Sequence, residues 1–310
     1  MSDTGEFFIN CLECADVGIV SPAYPVFEIK DSSVLDKDYL KFFFKSVSFN
    51  KKITLLSKGS TRLSLKFKDL KNIEIDLPSL EEQKRIALVI GKIYDLLDVC
   101  DKQRNDLNEL IRTRFIEIFG EVETNEKGFP MKTMAECCDF IGGSQPDKKY
   151  FEYEKRPDNI RLIQIRDYKS DKFLTYIPIK LARKTCTTED IMIGRYGPPI
   201  FQILGGIAGA YNVALMKAVP TSEFDSHYFR YFLKDDKLLA YLESYSKRTA
   251  GQDGIQMDKL NCYPCFVPPL QLQKKFSSFA RAVERELEHN AEQTKMVNDL
   301  LEIKMEEYFE

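Results

Sequence analysis

The chain has 310 residues, 44% hydrophobic and 30% charged, with 15 Gly and 13 Pro, a globular composition that excludes a disordered or low-complexity polypeptide and suits about two domains. It holds no run of the roughly 20 apolar residues that a membrane span needs, no basic and apolar secretory leader in MSDTGEFFINCLEC, and eight irregularly spaced Cys, which together predict a reduced, cytoplasmic setting. A net charge of −3 and a pI near 5.7 argue at first against a nucleic-acid partner.

In chain order, GIVSPAY at 18–24 leads into an apolar, strand-like run. Segment 37–71 carries ten Lys/Arg against two acids, a net of +8, with Tyr39-Leu-Lys-Phe-Phe reading as a short helix and Lys58-Gly-Ser-Thr-Arg as a basic loop. On charge alone this is either a phosphate-facing surface or an ordinary solvated Lys-rich face. NIEIDLP at 72–78 reads as a short strand.

After Pro78 the pattern changes period. Ile86, Ile93, Cys100 and Leu107 recur every seven residues, with Val89, Leu96 and Leu110 three later and Ile90, Leu97 and Ile111 four later. The spacing predicts a helix over 81–119, stopped by Gly120, of about 58 Å at 1.5 Å per residue. Such a stripe needs a covering partner.

Residues 131–268 read as mixed α and β. MKTMAECCDFIGG opens with a short helix and strand, RLIQIRDY, FLTYIPI and AYNVALMKAV look like strands, and DIMIGRYG enters a Gly-Pro turn. A helix is expected at about 226–244, and NCYPCFVP at 261–268 closes with a strand.

The covering partner for the first long helix is a second copy of it. PPLQLQKK at 268–275 matches PSLEEQKR at 78–85 at an offset of 190, and the gapless register gives ten identities over 42 positions, out to Phe119 and Phe309. Phe276, Val283, Leu287, Val297, Leu300 and Leu301 repeat the apolar stripe. The two helices are expected to pair antiparallel as a coiled coil, with a polar waist of Cys100 and Gln103 against Asn290, Gln293 and Thr294. The repeat reaches upstream: GIVSPAY matches GIAGAYN at 206–212, Tyr39-Leu-Lys-Phe-Phe matches Tyr228-Phe-Arg-Tyr-Phe, and the Lys58 loop matches the Arg248 region. Segment 131–205 has no counterpart, so one globular unit is whole and the other about half present.

Regional charge revises the first impression. Segment 130–268 has a net of +3, while 81–129 and 269–310 are each −3. Neutral-to-basic heads and acidic helices suit heads that touch phosphates and a coil that faces protein.

With these residues in hand the chain resembles the specificity subunits of type I restriction–modification systems. The resemblance rests on the two long helices introduced by PSLEEQKR and PPLQLQKK, on FIEIFGEVETNEKGFPMKTMAECCDFIGG as a passage into a second target-recognition domain, and on DIMIGRYG…GIAGAYNVAL and GIVSPAYPVF as domain centres. It implies an α+β chain with a pseudo-two-fold repeat: a partial first target-recognition domain (1–80), a central helix (81–122), an intact second domain (123–268) and a C-terminal helix (269–310). Each domain would read half of a bipartite double-stranded DNA site, the coil would set the spacing, and methyltransferase subunits would dock on it and bring restriction subunits through the complex. No catalytic centre, cofactor or membrane is implied. About 58 Å of helix corresponds to about 17 base pairs. The short first domain departs from the family pattern; it is expected either to mark a truncated or recombined allele or to be complemented by self-association. A scaffold that no longer reads DNA is the alternative reading.

Enzymatic motifs are sparse. There is no GxxxxGK[ST] loop, and GPPI at 197–200 lacks the Asn and aromatic of a base-methylation motif. Asp16 with Glu28-Ile-Lys30 resembles a metal-dependent nuclease pattern, which makes cleavage a remote alternative. Cys11/Cys14 and Cys262/Cys265 are CxxC pairs that read better as small packed residues than as zinc ligands, so no metal site is assigned. His227 and His289 lie on predicted helices with no HExxH partner. Basic and amide side chains in loops of the intact domain are the DNA-contact candidates: Lys148, Lys149, Arg166, Arg183, Lys184, Arg195, Tyr196, Gln202, Asn212, Lys247, Arg248 and Gln252. Glu81, Arg85, Asp98, Arg112 and Glu284 are the candidates for partner docking.

Overall fold

The structure, a computed structural model, describes residues 18–21, 26, 28–56, 73–197, 199–246 and 254–310. Its helices are α1 (Lys37–Phe43), α2 (Val47–Leu56), α3 (Leu80–Phe119), α4 (Met134–Cys137), α5 (Ser226–Phe232), α6 (Asp236–Ser246), α7 (Met257–Cys262) and α8 (Leu270–Phe309). Its strands are β1 (Met131–Thr133), β2 (Cys138–Gly142), β3 (Asn159–Ile163), β4 (Tyr176–Pro178), β5 (Thr185–Cys186), β6 (Ile191–Gly194), β7 (Gln202–Leu204), β8 (Gly209–Tyr211), β9 (Leu215–Pro220) and β10 (Pro264–Phe266). The chain divides into two compact units, Met1–Asn108 with Arg285–Glu310, and Glu109–Glu284.

In the first unit the heptad stripe does what its period requires. Ile86, Ile90 and Ile93 of α3 are buried, and Val297, Leu301, Met305 and Tyr308 of α8 pack onto the same core. The pairing is antiparallel: the Arg85 guanidinium lies 5.3 Å from the Tyr308 ring, while Cys100 faces Asn290. Phe42 and Phe43 of α1, its C-cap Phe44, and Phe49 and Ile53 of α2 complete the core, and Phe309 meets Tyr39 at 5.4 Å. Each such buried aromatic contributes on the order of 1.5–3 kcal/mol of transfer free energy.

The expected strand at 72–78 is not assigned over residues 73–79. In the second unit the aligned β10 is held by β1, through Met131–Phe266, Lys132–Cys265 and Thr133–Pro264. Ile73 and Ile75 instead pack on the helical core.

The signature glutamines explain why the same octapeptide recurs. Gln83, fully buried, accepts the backbone N–H of Asp36 through Oε1 (2.8 Å) and donates from Nε2 to the carbonyls of Val34 and Pro78 (2.9 Å each). Gln273, equally buried in the second unit, accepts from Asp225 (2.8 Å) and donates to Glu223 (3.0 Å) and Pro268 (2.8 Å). Asp36 and Asp225 are the N-caps of α1 and α5, so each glutamine fastens a capped short helix to the start of a long one.

The second unit is α+β. Two four-stranded sheets have the orders β2-β9-β6-β7 and β4-β3-β8-β5, with β1-β10 as a separate pair. All four residues of β6 are buried, as a strand covered on both faces requires. Phe115 and Phe119 of α3 meet Phe276 of α8 at 5.2 and 5.7 Å, and Tyr228 sits against Phe119 at 4.7 Å.

Three expected elements are interrupted. AYNVALMKAV divides into β8 and β9 at a turn where Asn212 Oδ1 accepts the Ala214 N–H (3.1 Å). The helix at 226–244 divides into α5 and α6, because Asp235 accepts from Lys237 N–H (2.9 Å) as a fresh cap. RLIQIRDY keeps only β3 and continues as a 3-10 turn, Ile165–Tyr168.

Candidate nucleic-acid interface

Strand direction in the second unit determines which loops can share a surface. β2 and β6 both run antiparallel to β9, so they are parallel to each other and end together at Gly142 and Gly194. β3 and β8 are paired in parallel and end together at Ile163 and Tyr211. The two sets of strand ends are stitched around the 211–215 turn. Gly143 N–H donates to the Leu215 carbonyl (2.9 Å), Ser144 to Tyr211 (3.1 Å), Arg195 to Ala214 (2.9 Å), Asn212 to Ile163 (3.1 Å) and Tyr211 to Lys184 (3.3 Å). A Cβ on Gly143 would lie 2.0 Å from the Asn212 carbonyl oxygen, so only glycine permits this approach.

This rim gathers the loops that carry the described DNA-contact candidates. Lys148 and Lys149 follow β2 in an exposed 3-10 turn capped by Asp147, with the Lys149 ammonium 3.8 Å from the Asp147 carboxylate and 5.1 Å from the Tyr150 ring. Arg166 follows β3; it is exposed, and its Nη2 donates to the Phe173 carbonyl (3.3 Å) and the Thr175 hydroxyl (3.4 Å). Arg183 and Lys184 are exposed immediately before β5. Arg195 and Tyr196 follow β6, half-buried, with the guanidinium 5.5 Å from the ring and its Nε buried without a hydrogen-bond partner. Gln202 opens β7 and donates to the Pro199 carbonyl (2.9 Å).

Asn212 also lies on the rim but is only 8% exposed, with its Oδ1 committed to the turn, so its place there is that of a turn-former. Lys247, Arg248 and Gln252 lie outside the described residues. The chain resumes after them at the rim itself, where Gly254 pairs with Tyr196 and Ile255 N–H donates to the Arg195 carbonyl (3.3 Å).

Among the candidates for docking, Glu81 and Asp98 are exposed on the first unit, and Arg85 is held by Glu82 at 2.6 Å. Arg112 is bound within the second unit to Asp236 at 2.8 Å. Glu284 is occupied as well, 3.0 Å from His227 Nε2 and accepting the Tyr231 hydroxyl at 2.7 Å. Burial works to raise the Glu284 pKa, and the His227 and Tyr231 contacts outweigh it and hold the carboxyl below its ordinary value. Arg112 and Glu284 thus each have a partner within the second unit, Arg112 in a pair that stays exposed.

Cys265 is buried in β10 and Cys262 is exposed, whereas Cys11, Cys14 and Asp16 lie outside the described residues. Glu28 and Lys30 are exposed. Among the described residues no three His, Cys, Asp or Glu side chains are grouped to hold a metal ion, and no helix is long and apolar enough to cross a membrane. His289 Nε2 lies 3.2 Å from Gln293 Nε2 on its own helix. The candidates drawn from the sequence omitted Lys169, Lys172 and Phe173, which project from the β3–β4 connection. The signal was present as a lysine adjoining an aromatic, the same pairing as Lys149-Tyr150 and Arg195-Tyr196.

Comparison with known proteins gives consistent matches. Residues 3–109 match the type I restriction modification DNA specificity domain. The specificity subunit of the type I restriction enzyme MjaIX from Methanocaldococcus jannaschii is 24% identical over 280 residues, covering 83% of this chain and 64% of that protein. The chain thus spans less than two thirds of that relative. The crystal structure of the type I S subunit from M. genitalium has a TM-score of 0.56 at 16% identity, covering 89% of this chain and 73% of the other. A structure described for complex assembly and conformational transition of the type I R-M system has a TM-score of 0.56 at 18% identity, covering 90% and 72%.

Proposed function

From the premise that the chain belongs with the specificity subunits of type I restriction–modification systems, we propose that it is a non-catalytic, sequence-reading subunit acting on double-stranded DNA in the cytoplasm. The observation that carries the reading is the rim of the second unit, where the loops after β2, β3 and β6 and the segment before β5 bring Lys148, Lys149, Arg166, Arg183, Lys184 and Arg195 around one stitched turn, 211–215. Lysines on loops supply phosphate contact, which orients a duplex without reading it. Arg195 is suited to base reading, since its guanidinium is braced by Tyr196 and keeps a fork of donors that matches guanine O6 and N7.

In this reading residues 123–268 form the intact recognition domain, 1–80 a partial one, and the long helices the mount for methyltransferase subunits, which bring restriction subunits to a bipartite target. The test is selection of bound duplexes from a randomised pool by the full chain together with its methyltransferase subunits. Recovery of a shared motif supports the reading, and the absence of any enriched sequence refutes it. Cleavage by the chain alone would support the nuclease reading instead.

A further inference from the structure

Between β3 and β4 the chain spans residues 164–175, a connection that is braced from beneath and charged on its outer side. Arg161, at the middle of β3, lies 3.5 Å from Asp167 and 2.8 Å from Asp171, so both carboxylates of the connection are drawn toward one inward arginine. Gln164 donates to the Thr175 hydroxyl at 3.1 Å and closes the base of the connection. Arg166 reaches the Phe173 carbonyl from the other side, and the Ser170 hydroxyl accepts the Lys172 N–H at 3.1 Å to cap the short turn Asp171–Phe173. Asp167 is buried, whereas Asp171, its carboxylate paired with Arg161, is exposed along with Arg166, Lys169, Lys172 and Phe173.

Phe173 is 62% exposed. A lone exposed aromatic is ordinary on a protein surface. This one is set on a short turn fixed at both ends, among cations whose neighbouring acids are both engaged by Arg161, Asp167 buried and Asp171 exposed. The chain that bridges β4 through Glu152–Tyr176 runs on toward the same side and carries Tyr153, 74% exposed, and then Lys155. Exposed aromatic and basic side chains recur here on a braced backbone, with Glu154 and Asp171 among them, and this surface continues the rim through Arg166. A rigid apolar side chain flanked by cations is the chemistry of a wedge that enters between stacked base pairs while the cations hold the phosphates on either side.

We propose that Phe173 is a DNA-inserting wedge, with Lys169 and Lys172 clamping the flanking phosphates. The inference rests on the DNA-reading function above, and it assigns shape-dependent recognition to a connection that carries only Arg166 among the candidates read from the sequence. Bases at an easily unstacked step would then be specified through deformation of the duplex, without a hydrogen bond to their edges.

The chain contains no tryptophan, so Phe173→Trp creates a single fluorescent reporter. The probe is a 40-base-pair duplex recovered by selection with the full chain. Binding is expected to quench the Phe173→Trp emission and to leave a Tyr308→Trp control on the coil unchanged. Phe173→Ala should weaken affinity for that duplex roughly tenfold with its salt dependence intact, a loss in the range of one stacking contact. Lys169→Ala with Lys172→Ala should instead flatten the log–log salt slope by about 1.8. Melting curves matching the parent exclude misfolding. If the duplex binds while the emission and the Phe173→Ala affinity stay at parental values, the wedge is wrong and DNA reading stands. If no duplex is recovered, the DNA reading fails and the wedge fails with it.

Discussion

Asn290 donates from its side-chain nitrogen to the main-chain carbonyl of Cys100 at 3.0 Å, and these two residues are counterparts in the 190-residue repeat. The long helices therefore meet, residue against own equivalent, at the polar waist. Asn290 also donates to Gln103 Oε1 at 3.3 Å, while its own Oδ1 is buried without a partner. A polar residue at such a seam trades stability for a fixed register.

Asn290→Ala is expected to lower stability by about 1 kcal/mol, by removing the donor and leaving the Cys100 carbonyl dry. Asn290→Leu removes the orphaned acceptor and fills the seam, so its melting temperature should equal or exceed that of the parent. Thermal unfolding of the three proteins checks the order.

Gln83→Ala and Gln273→Ala should each cost about 2–3 kcal/mol, since each strips partners from buried backbone groups. Gln273→Glu keeps the acceptor for Asp225 but loses both donations, and it buries a charge. It should be no better than the alanine variant in chemical denaturation. A fully tolerated alanine at both positions would show that the clamps are incidental.

The second unit should lose stability on the acid side. Burial pushes the Asp225 carboxyl upward, yet the hydrogen bonds from Ser277, His227 N–H and Tyr228 N–H, with the Arg281 charge, hold it below its ordinary value, as happens at Glu284. Carboxyls depressed in the folded state contribute fully above their unfolded pKa, and the contribution disappears as pH falls through the folded value. Ser277→Ala with Tyr231→Phe should shrink the loss between neutral pH and the acid limit, measured as denaturation free energy against pH.

Gly143→Ala drives a methyl group into the Asn212 carbonyl, a main-chain atom that cannot rotate away. A penalty of a few kcal/mol is expected, typical of overpacking and above. Hydrogen exchange should show the 211–215 turn opening first, because two of its hydrogen bonds come from Gly143 and Ser144 in the strand passing beside it.

At the rim, Arg195→Ala should reduce discrimination between the selected duplex and a mismatched one by about 1–3 kcal/mol. Lys184→Ala should weaken both duplexes alike and lower the salt slope by about 0.9. Competition binding at two salt concentrations separates the two roles.

The long helices and the repeat were legible because Ile86, Ile90 and Ile93 and their partners obey one period over many turns, which no local turn chemistry overrides. The α5 helix was legible through its match to residues 39–43. Interruptions were hidden where a single short side chain competes with a regular element. Asn212 and Asp235 each satisfy a backbone N–H two residues on, and each divides a segment that propensity alone joins. The rim was half legible. Loop arginines and lysines could be named from the sequence, but their convergence depends on the parallel β3–β8 pairing, a contact between residues nearly fifty positions apart. The pairing of Arg112 with Asp236 and of Glu284 with His227 and Tyr231 was not legible, because those partners lie far along the chain.

The glutamine clamps bear on how such a protein can change in evolution. Gln83 takes its bonds from residues 34, 36 and 78, and Gln273 from 223, 225 and 268. Every partner thus lies upstream and within the same unit. A gene segment exchanged at the octapeptide would carry lock and seat together, so a foreign reading head could be inherited already fitted to its helix.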